Sequence, residues 1–292
     1  MRRRDDNKTY FLRETQMSFQ DPFSSLNPGS SLSQPQGGMP VRINTAKQTM
    51  LRGEPAFGYA LGLGSPLAAE LVGNCGIDFV LLDTQHGSWG PDSTIHALAA
   101  MSAGSAVPMA RVAANNYTLI GRLLDEGMLG IVVPMVHTVE DARAAAAACR
   151  FPPKGARSWG WGRARAYGDD YADWIDDQVF LAVQIESAQA VENAEAIMAV
   201  PGVDGCWIGP ADLALSMGIH PRQAPRSEEH AQAVASVLQA CRNTGKIPGF
   251  ACSSPEDAVR RAEQGFRFLT CGSDAGFIAA GARAGLRALG RA

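Results

Sequence analysis

Short apolar runs that stop abruptly at polar or glycine positions recur through this chain, at residues 57–63, 79–83, 107–112, 130–134, 180–186, 205–209, 247–252 and 266–272. Consecutive apolar residues without alternation fit strands buried on both faces, the kind that helices cover in a parallel sheet. Helix-like segments lie between them, opened by Ser65-Pro66, Asn115-Asn116, Thr138 with Asp141, Ser187, and Ser254-Pro255 with Asp257. Glycines 127, 202, 245 and 265 punctuate those segments. Eight strand–helix alternations over roughly 245 residues predict an α/β fold of the (β/α)8 TIM-barrel type. A doubly wound open sheet is the alternative, since one miscounted strand would open the barrel.

Residues 1–46 differ from the rest. Ser, Pro, Gly, Gln and Asn dominate between positions 18 and 38, and the apolar residues there follow no period. This composition predicts a flexible N-terminal extension ahead of a barrel domain over 47–292. An apolar fraction of 46% fills one large core. A net charge of -3 with a pI near 6.0 leaves no broad basic surface, which argues against nucleic acid and anionic membrane and for a small-molecule ligand. No run approaches the ~18 apolar residues of a membrane span. Asp5 and Asp6 follow the opening arginines where a secretory signal needs apolar residues. The six cysteines (Cys75, Cys149, Cys206, Cys241, Cys252, Cys271) form no CxxC pair and read as reduced thiols of a cytoplasmic protein.

Chemistry-bearing residues gather at the C-terminal ends of the expected strands, which a barrel brings to one rim. These are Asp83 and His86, Arg111, Gln184 and Glu186, and Asp212 in Ile208-Gly-Pro-Ala-Asp-Leu213. Glu186 and Asp212 suit a hard or borderline divalent ion that keeps open water positions, Mg2+, Mn2+ or Co2+, with Zn2+ disfavoured. Either acid alone reads better as an ion-pair partner or a helix cap; the two together at one depth reverse that balance. Arg111 ends an apolar strand that should not bury an unpaired cation, so it either neutralises Asp83 or Glu186 or offers a planar fork to an oxyanion. His86 stands three residues beyond Asp83, near enough for the acid to fix its tautomer and make it a general base. His96, His137, His220 and His230 read as structural.

Leu82-Asp-Thr-Gln-His-Gly87, Ala110-Arg-Val112, Gln184-Ile-Glu186 and Ile208-Gly-Pro-Ala-Asp-Leu213 resemble, in order, the motifs of the HpcH/HpaI class II pyruvate aldolases, and the resemblance extends from about Asn44 to the C-terminus. It implies a pyruvate-binding (β/α)8 barrel, a divalent metal on Glu186 and Asp212, substrate contacts from Arg111, Gln184 and the backbone at Ala211 and Asp212, and a His86/Asp83 base dyad. It further implies a homo-oligomer, a hexamer built as a trimer of dimers, in which Asp125 reaches a neighbour's site. The chain departs from the family pattern at Gln85, where many members carry Glu, and in Gly87-Ser88-Trp89. The implied reaction is retro-aldol cleavage of a 4-hydroxy-2-oxo acid to pyruvate and an aldehyde through a metal-stabilised enolate, with side decarboxylation of oxaloacetate. Lys8, Lys47, Lys154 and Lys246 are the only lysines and none sits in a strand core, so no Schiff base is expected. Positions 250–254, Trp89 and the Gly/Trp/Arg-rich loop 159–167 are expected to shape the aldehyde pocket. Two other readings stay open: an acyl-CoA lyase of citrate-lyase-β type, with Arg157, Arg163 and Arg165 on CoA phosphates, and a non-catalytic 2-oxo acid binder.

Overall fold

The computed structural model describes residues 43–160 and 162–291, so most of the expected N-terminal extension lies outside the described residues. From Asn44 onward the order is α1 (Thr45–Leu51), β1 (Ala56–Leu61), α2 (Pro66–Gly73), β2 (Phe79–Asp83), α3 (Pro91–Met101), β3 (Val107–Arg111), α4 (Tyr117–Glu126), β4 (Gly130–Val133) and α5 (Val139–Cys149). There follow α6 (Tyr171–Gln178), β5 (Phe180–Ile185), α7 (Ala188–Glu192), α8 (Ala194–Met198), β6 (Gly205–Ile208), α9 (Pro210–Ser216), α10 (Glu228–Thr244), β7 (Gly249–Ala251), α11 (Pro255–Gln264), β8 (Phe268–Ser273) and α12 (Asp274–Ala288). All eight strands are parallel and β8 pairs back onto β1, which closes the barrel and removes the open-sheet alternative.

The start signals act as caps. Side chains of Ser65, Asn116, Thr138, Ser187 and Ser254 accept from the first free N–H groups of α2, α4, α5, α7 and α11. Gly127, Gly245 and Gly265 end α4, α10 and α11 in the left-handed region that L residues avoid. Inside the barrel, large side chains fill the space that small ones leave. Phe268 packs against Phe79 at 4.7 Å and Phe180 at 4.9 Å between ring centroids, while a Cβ on Gly58 would overlap the Phe79 ring.

Beneath that layer the base of the barrel closes on buried charge. Asp204 accepts from Lys47 Nζ at 3.0 Å, Arg150 Nη2 at 3.0 Å and Leu181 N at 2.7 Å. Lys47 also donates to the carbonyls of Asp177 and Val179, and Asn44 Nδ2 to those of Leu129 and Gln178. Asn44 and Ala46 are thus part of the barrel's floor, and the expected boundary after residue 46 falls inside α1. At the other end of the chain α12 is the exception among the outer helices: only Asp274 is buried, and Phe277, Ile278 and Leu286 are exposed. No described helix is long and apolar enough to cross a membrane, and all six cysteines are free thiols.

Candidate active site

Register sets the first pair. Asp83 and Arg111 end β2 and β3 and are direct cross-strand partners, so the Arg111 fork meets the carboxylate edge-on: Nε donates to Oδ1 at 2.9 Å and Nη2 to Oδ2 at 2.5 Å. Oδ1 also accepts from the backbone N–H groups of Gln85 and His86, at 3.1 and 3.2 Å. Burial works against charge on Asp83, but the Arg111 fork and these N–H groups overcome it and hold the carboxyl below its ordinary range. The guanidinium lies 5.4 Å from the centroid of the Trp207 ring on β6.

The second pair stands on β5 and just beyond it. Gln184 and Glu186 are two residues apart, hence on one face, and both are buried. Gln184 Nε2 donates to Glu186 Oε2, and Met135 N donates to Oε1 at 2.8 Å. Met135 holds a left-handed φ of 56°, rare for a residue with a Cβ, to aim that N–H. Burial pushes the Glu186 carboxyl upward; the Met135 N–H opposes this and the charge of Asp212 adds to it. Asp212 is exposed in the first turn of α9, beside Ala211. Gly209 lets α9 approach: a Cβ there would come to 2.7 Å from Gln184 Nε2 and 2.8 Å from Glu186 Oε2.

Polar atoms of this rim lack partners. Among the described residues Gln85 Oε1, Gln184 Oε1 and Trp207 Nε1 are buried without a hydrogen bond. Trp207 also lines a cavity of about 420 Å3 across the mouth, with Ala60, Cys252, Ser253, Ser254 and Thr270.

Several expectations need correction. The Asp83–His86 dyad does not form: both Asp83 oxygens are taken by Arg111 and backbone, and the exposed His86 ring makes no hydrogen bond among the described residues. A bidentate, charge-assisted fork outcompetes a single imidazole N–H for the same carboxylate. The role expected of Asp125 lies toward a neighbouring copy and stands as an expectation; within its own chain it sits in the last turn of α4 and accepts from Arg157 Nη2 at 2.7 Å. Arg157 is 1% exposed and Arg163 donates to the Leu98 carbonyl, so neither is a free phosphate ligand. Phe250 faces away from the mouth, under the Arg261 guanidinium at 4.0 Å. The expectation for Trp89 stands likewise: its Nε1 donates at 2.6 Å to the carbonyl of Leu61, the C-terminal residue of β1. In the loop 159–167, Tyr167 donates to the Gly127 carbonyl at the far end of α4, placing it outside this chain's own mouth. His137 and His230 do bond to neighbours, Ser187 Oγ and the Pro210 carbonyl, as structural histidines should.

Sequence reasoning passed over Trp207 and Met135. Trp207 carried a signal, since it is the β6 position that pairs with Gln184. Met135 carried none, because its contribution is a backbone N–H aimed by one dihedral angle.

The HpcH/HpaI aldolase/citrate lyase family profile matches residues 59–280. Hydroxypyruvate/pyruvate aldolase of Cupriavidus necator is 38% identical over 244 residues, 82% of this chain and 90% of that protein. The 4-hydroxy-2-oxo-heptane-1,7-dioate aldolase of Klebsiella pneumoniae is 36% identical over 82% of this chain and 92% of its own length. The crystal structure of an HpcH/HpaI aldolase/citrate lyase family protein from Burkholderia cenocepacia superposes with a TM-score of 0.79 at 34% identity, covering 85% of this chain and 99% of that one. With a rim of paired strand-end charges, a closed eight-strand barrel and full-length relatives of one kind, the chain belongs to the HpcH/HpaI aldolase/citrate lyase family.

Proposed function

We infer that the protein is a class II pyruvate aldolase, which cleaves a 4-hydroxy-2-oxo acid to pyruvate and an aldehyde. The observation that carries the reading is the Arg111 fork, locked by Asp83 and backed by Trp207, at the rim that also holds Gln184 and Glu186. Arg111 keeps a positive edge where a keto oxygen gathers negative charge, and it is fixed there before the substrate arrives. Gln184 orients the bound oxo acid, with the backbone at Ala211 and Asp212 meeting its carboxylate. His86, free at the rim, takes the proton of the C4 hydroxyl without Asp83 as its orienting acid. Gln85, neutral where many relatives carry Glu, leaves the rim more positive.

Glu186 and Asp212 would hold a divalent cation. The fit rests on the residues themselves: a buried carboxylate raised by burial and by a second acid, hydrogen-bonded only by an amide and a backbone N–H and within the field of an Arg111 already paired with Asp83, is relieved by a cation. Among the described residues no three acidic, histidine or cysteine side chains form a cage, so two carboxylates with open positions suit Mg2+, Mn2+ or Co2+ better than Zn2+. Such an ion, when bound, supplies Lewis acidity toward the oxo acid. We also place the protein in the cytoplasm as a homo-oligomer, a hexamer arranged as a trimer of dimers. Support comes from free thiols, from the apolar residues that α12 leaves exposed, and from Leu67 and Leu71 standing exposed on α2. In that assembly Asp125, held at the outer wall by Arg157, serves a neighbouring copy.

The test is turnover of a panel of 4-hydroxy-2-oxo acids with several metals. Pyruvate release should stop on chelation and return with a divalent ion, and borohydride with pyruvate should leave the protein unlabelled. Covalent trapping on a lysine would defeat the reading. Lys47, the most deeply buried of the described lysines, is committed to Asp204 at the opposite end of the barrel.

A further inference from the structure

Outside the barrel wall, α10 and α11 flank a cleft of about 590 Å3, within the size range of small-molecule sites. Phe250 and Phe266 lie nearly covered beneath it with their rings 5.6 Å apart, and Pro225 with Ala231 and Ala235 of α10 gives it an exposed apolar wall. It opens on the outer side of β7, where Phe250 turns its ring toward Arg261 on α11, and it meets the cavity at the mouth only along Ala251 and Ser253. Three arginines stand around it, Arg242, Arg260 and Arg261, against one lining carboxylate, Asp257. Asp257 takes Arg260 Nη2 at 2.5 Å and lies 3.6 Å from Arg261 Nε, beyond hydrogen-bond reach, so that this buried N–H has no hydrogen-bond partner. The Arg261 guanidinium carbon lies 4.0 Å from the centroid of the Phe250 ring, and its Nη1 donates to Gln264 Oε1 at 3.2 Å. His230, which also lines the cleft, is spent on the Pro210 carbonyl at 3.1 Å.

A cationic rim beside an apolar wall, with an excess of guanidinium over carboxylate, is complementary to one kind of guest. We propose that this cleft is a second ligand site, distinct from the barrel mouth, for an oxyanion carried on a ring-sized apolar body: an aryl carboxylate or an aryl phosphate monoester. The head group meets Arg242, Arg260 and Arg261, and the ring lies against Pro225, Ala231 and Ala235. Pro210 and Ala211 form part of the wall, so the cleft and the rim acid Asp212 share α9.

Calorimetric titration of the full chain with phenyl phosphate, benzoate and inorganic phosphate tests this. One aryl probe should bind at one site per chain about tenfold or more tighter than inorganic phosphate, and the tighter of the two names the head group. Ala235→Trp, from an exposed helix position on the cleft wall, and Arg242→Gln should each weaken that binding about tenfold, while Arg111→Met leaves it unchanged. Binding lost in Arg111→Met but kept in Ala235→Trp would assign the probe to the mouth and overturn the proposal. So would inorganic phosphate matching the aryl probes, or no binding of either.

Discussion

The two ends of this barrel bury charge in opposite ways. At the base, Asp204 answers two cations and a backbone N–H, and Lys47 and Arg150 pass their remaining donors to carbonyls. At the mouth, Glu186 is bonded by a neutral amide and a backbone N–H, faces a second acid and feels Arg111 only as a cation already paired with Asp83, while Gln85, Gln184 and Trp207 keep buried atoms without a hydrogen bond. The residue types are similar; the degree of satisfaction is not. A closed network stabilises a fold, whereas an open one costs stability and persists where a ligand completes it.

That contrast can be broken by mutation. Asp204→Ala should have the largest effect, a loss of about 3–5 kcal/mol, because Lys47 and Arg150 are left buried and unpaired; denaturant unfolding measures it, and a loss under ~1 kcal/mol would mean that the base is not a structural network. Arg111→Lys keeps the charge but not the fork, and should slow cleavage about a hundredfold or more in protein that still folds, as steady-state kinetics would register. His86→Ala should cost cleavage of a 4-hydroxy-2-oxo acid about a hundredfold but spare oxaloacetate decarboxylation, which needs no hydroxyl proton removed; equal losses would remove His86 as the base. The smallest effect should be one of sign. Glu186→Gln should abolish a rise in Tm on adding Mn2+ while making the metal-free protein slightly more stable, since the wild-type carboxyl is held above its ordinary range.

Acid titration separates the two carboxyls further. Asp83 is held below its ordinary range, so its contribution is present above the unfolded pKa and is lost as pH falls through the folded one. Glu186 is raised, so its ionisation opposes folding above its folded pKa, and falling pH relieves that penalty. Stability curves of Asp83→Asn and Glu186→Gln should therefore start on opposite sides of the wild type near neutral pH, the first below it and the second above, and converge on it on acidification.

Much of this was legible in the chain. Apolar runs marked the strands within a residue or two, because a strand covered on both faces leaves little choice of side chain. Caps were legible because Ser, Thr and Asn act on N–H groups only two or three residues away. The partner choice of Asp83 was not, since nothing in sequence spacing ranks a histidine three residues on against an arginine 28 positions away that only strand register delivers. Phe250 was misread for a similar reason: β7 spans only Gly249–Ala251, too short for alternation to show which way its ring turns.

Arg111 is held on more sides than its charge alone requires. One edge is occupied by Asp83 and the indole of Trp207 lies 5.4 Å away, which leaves the Nη1 side to greet a guest. A cation presented in this way selects by direction as well as sign: an anion can pair with it only by arriving on the side that Asp83 leaves open.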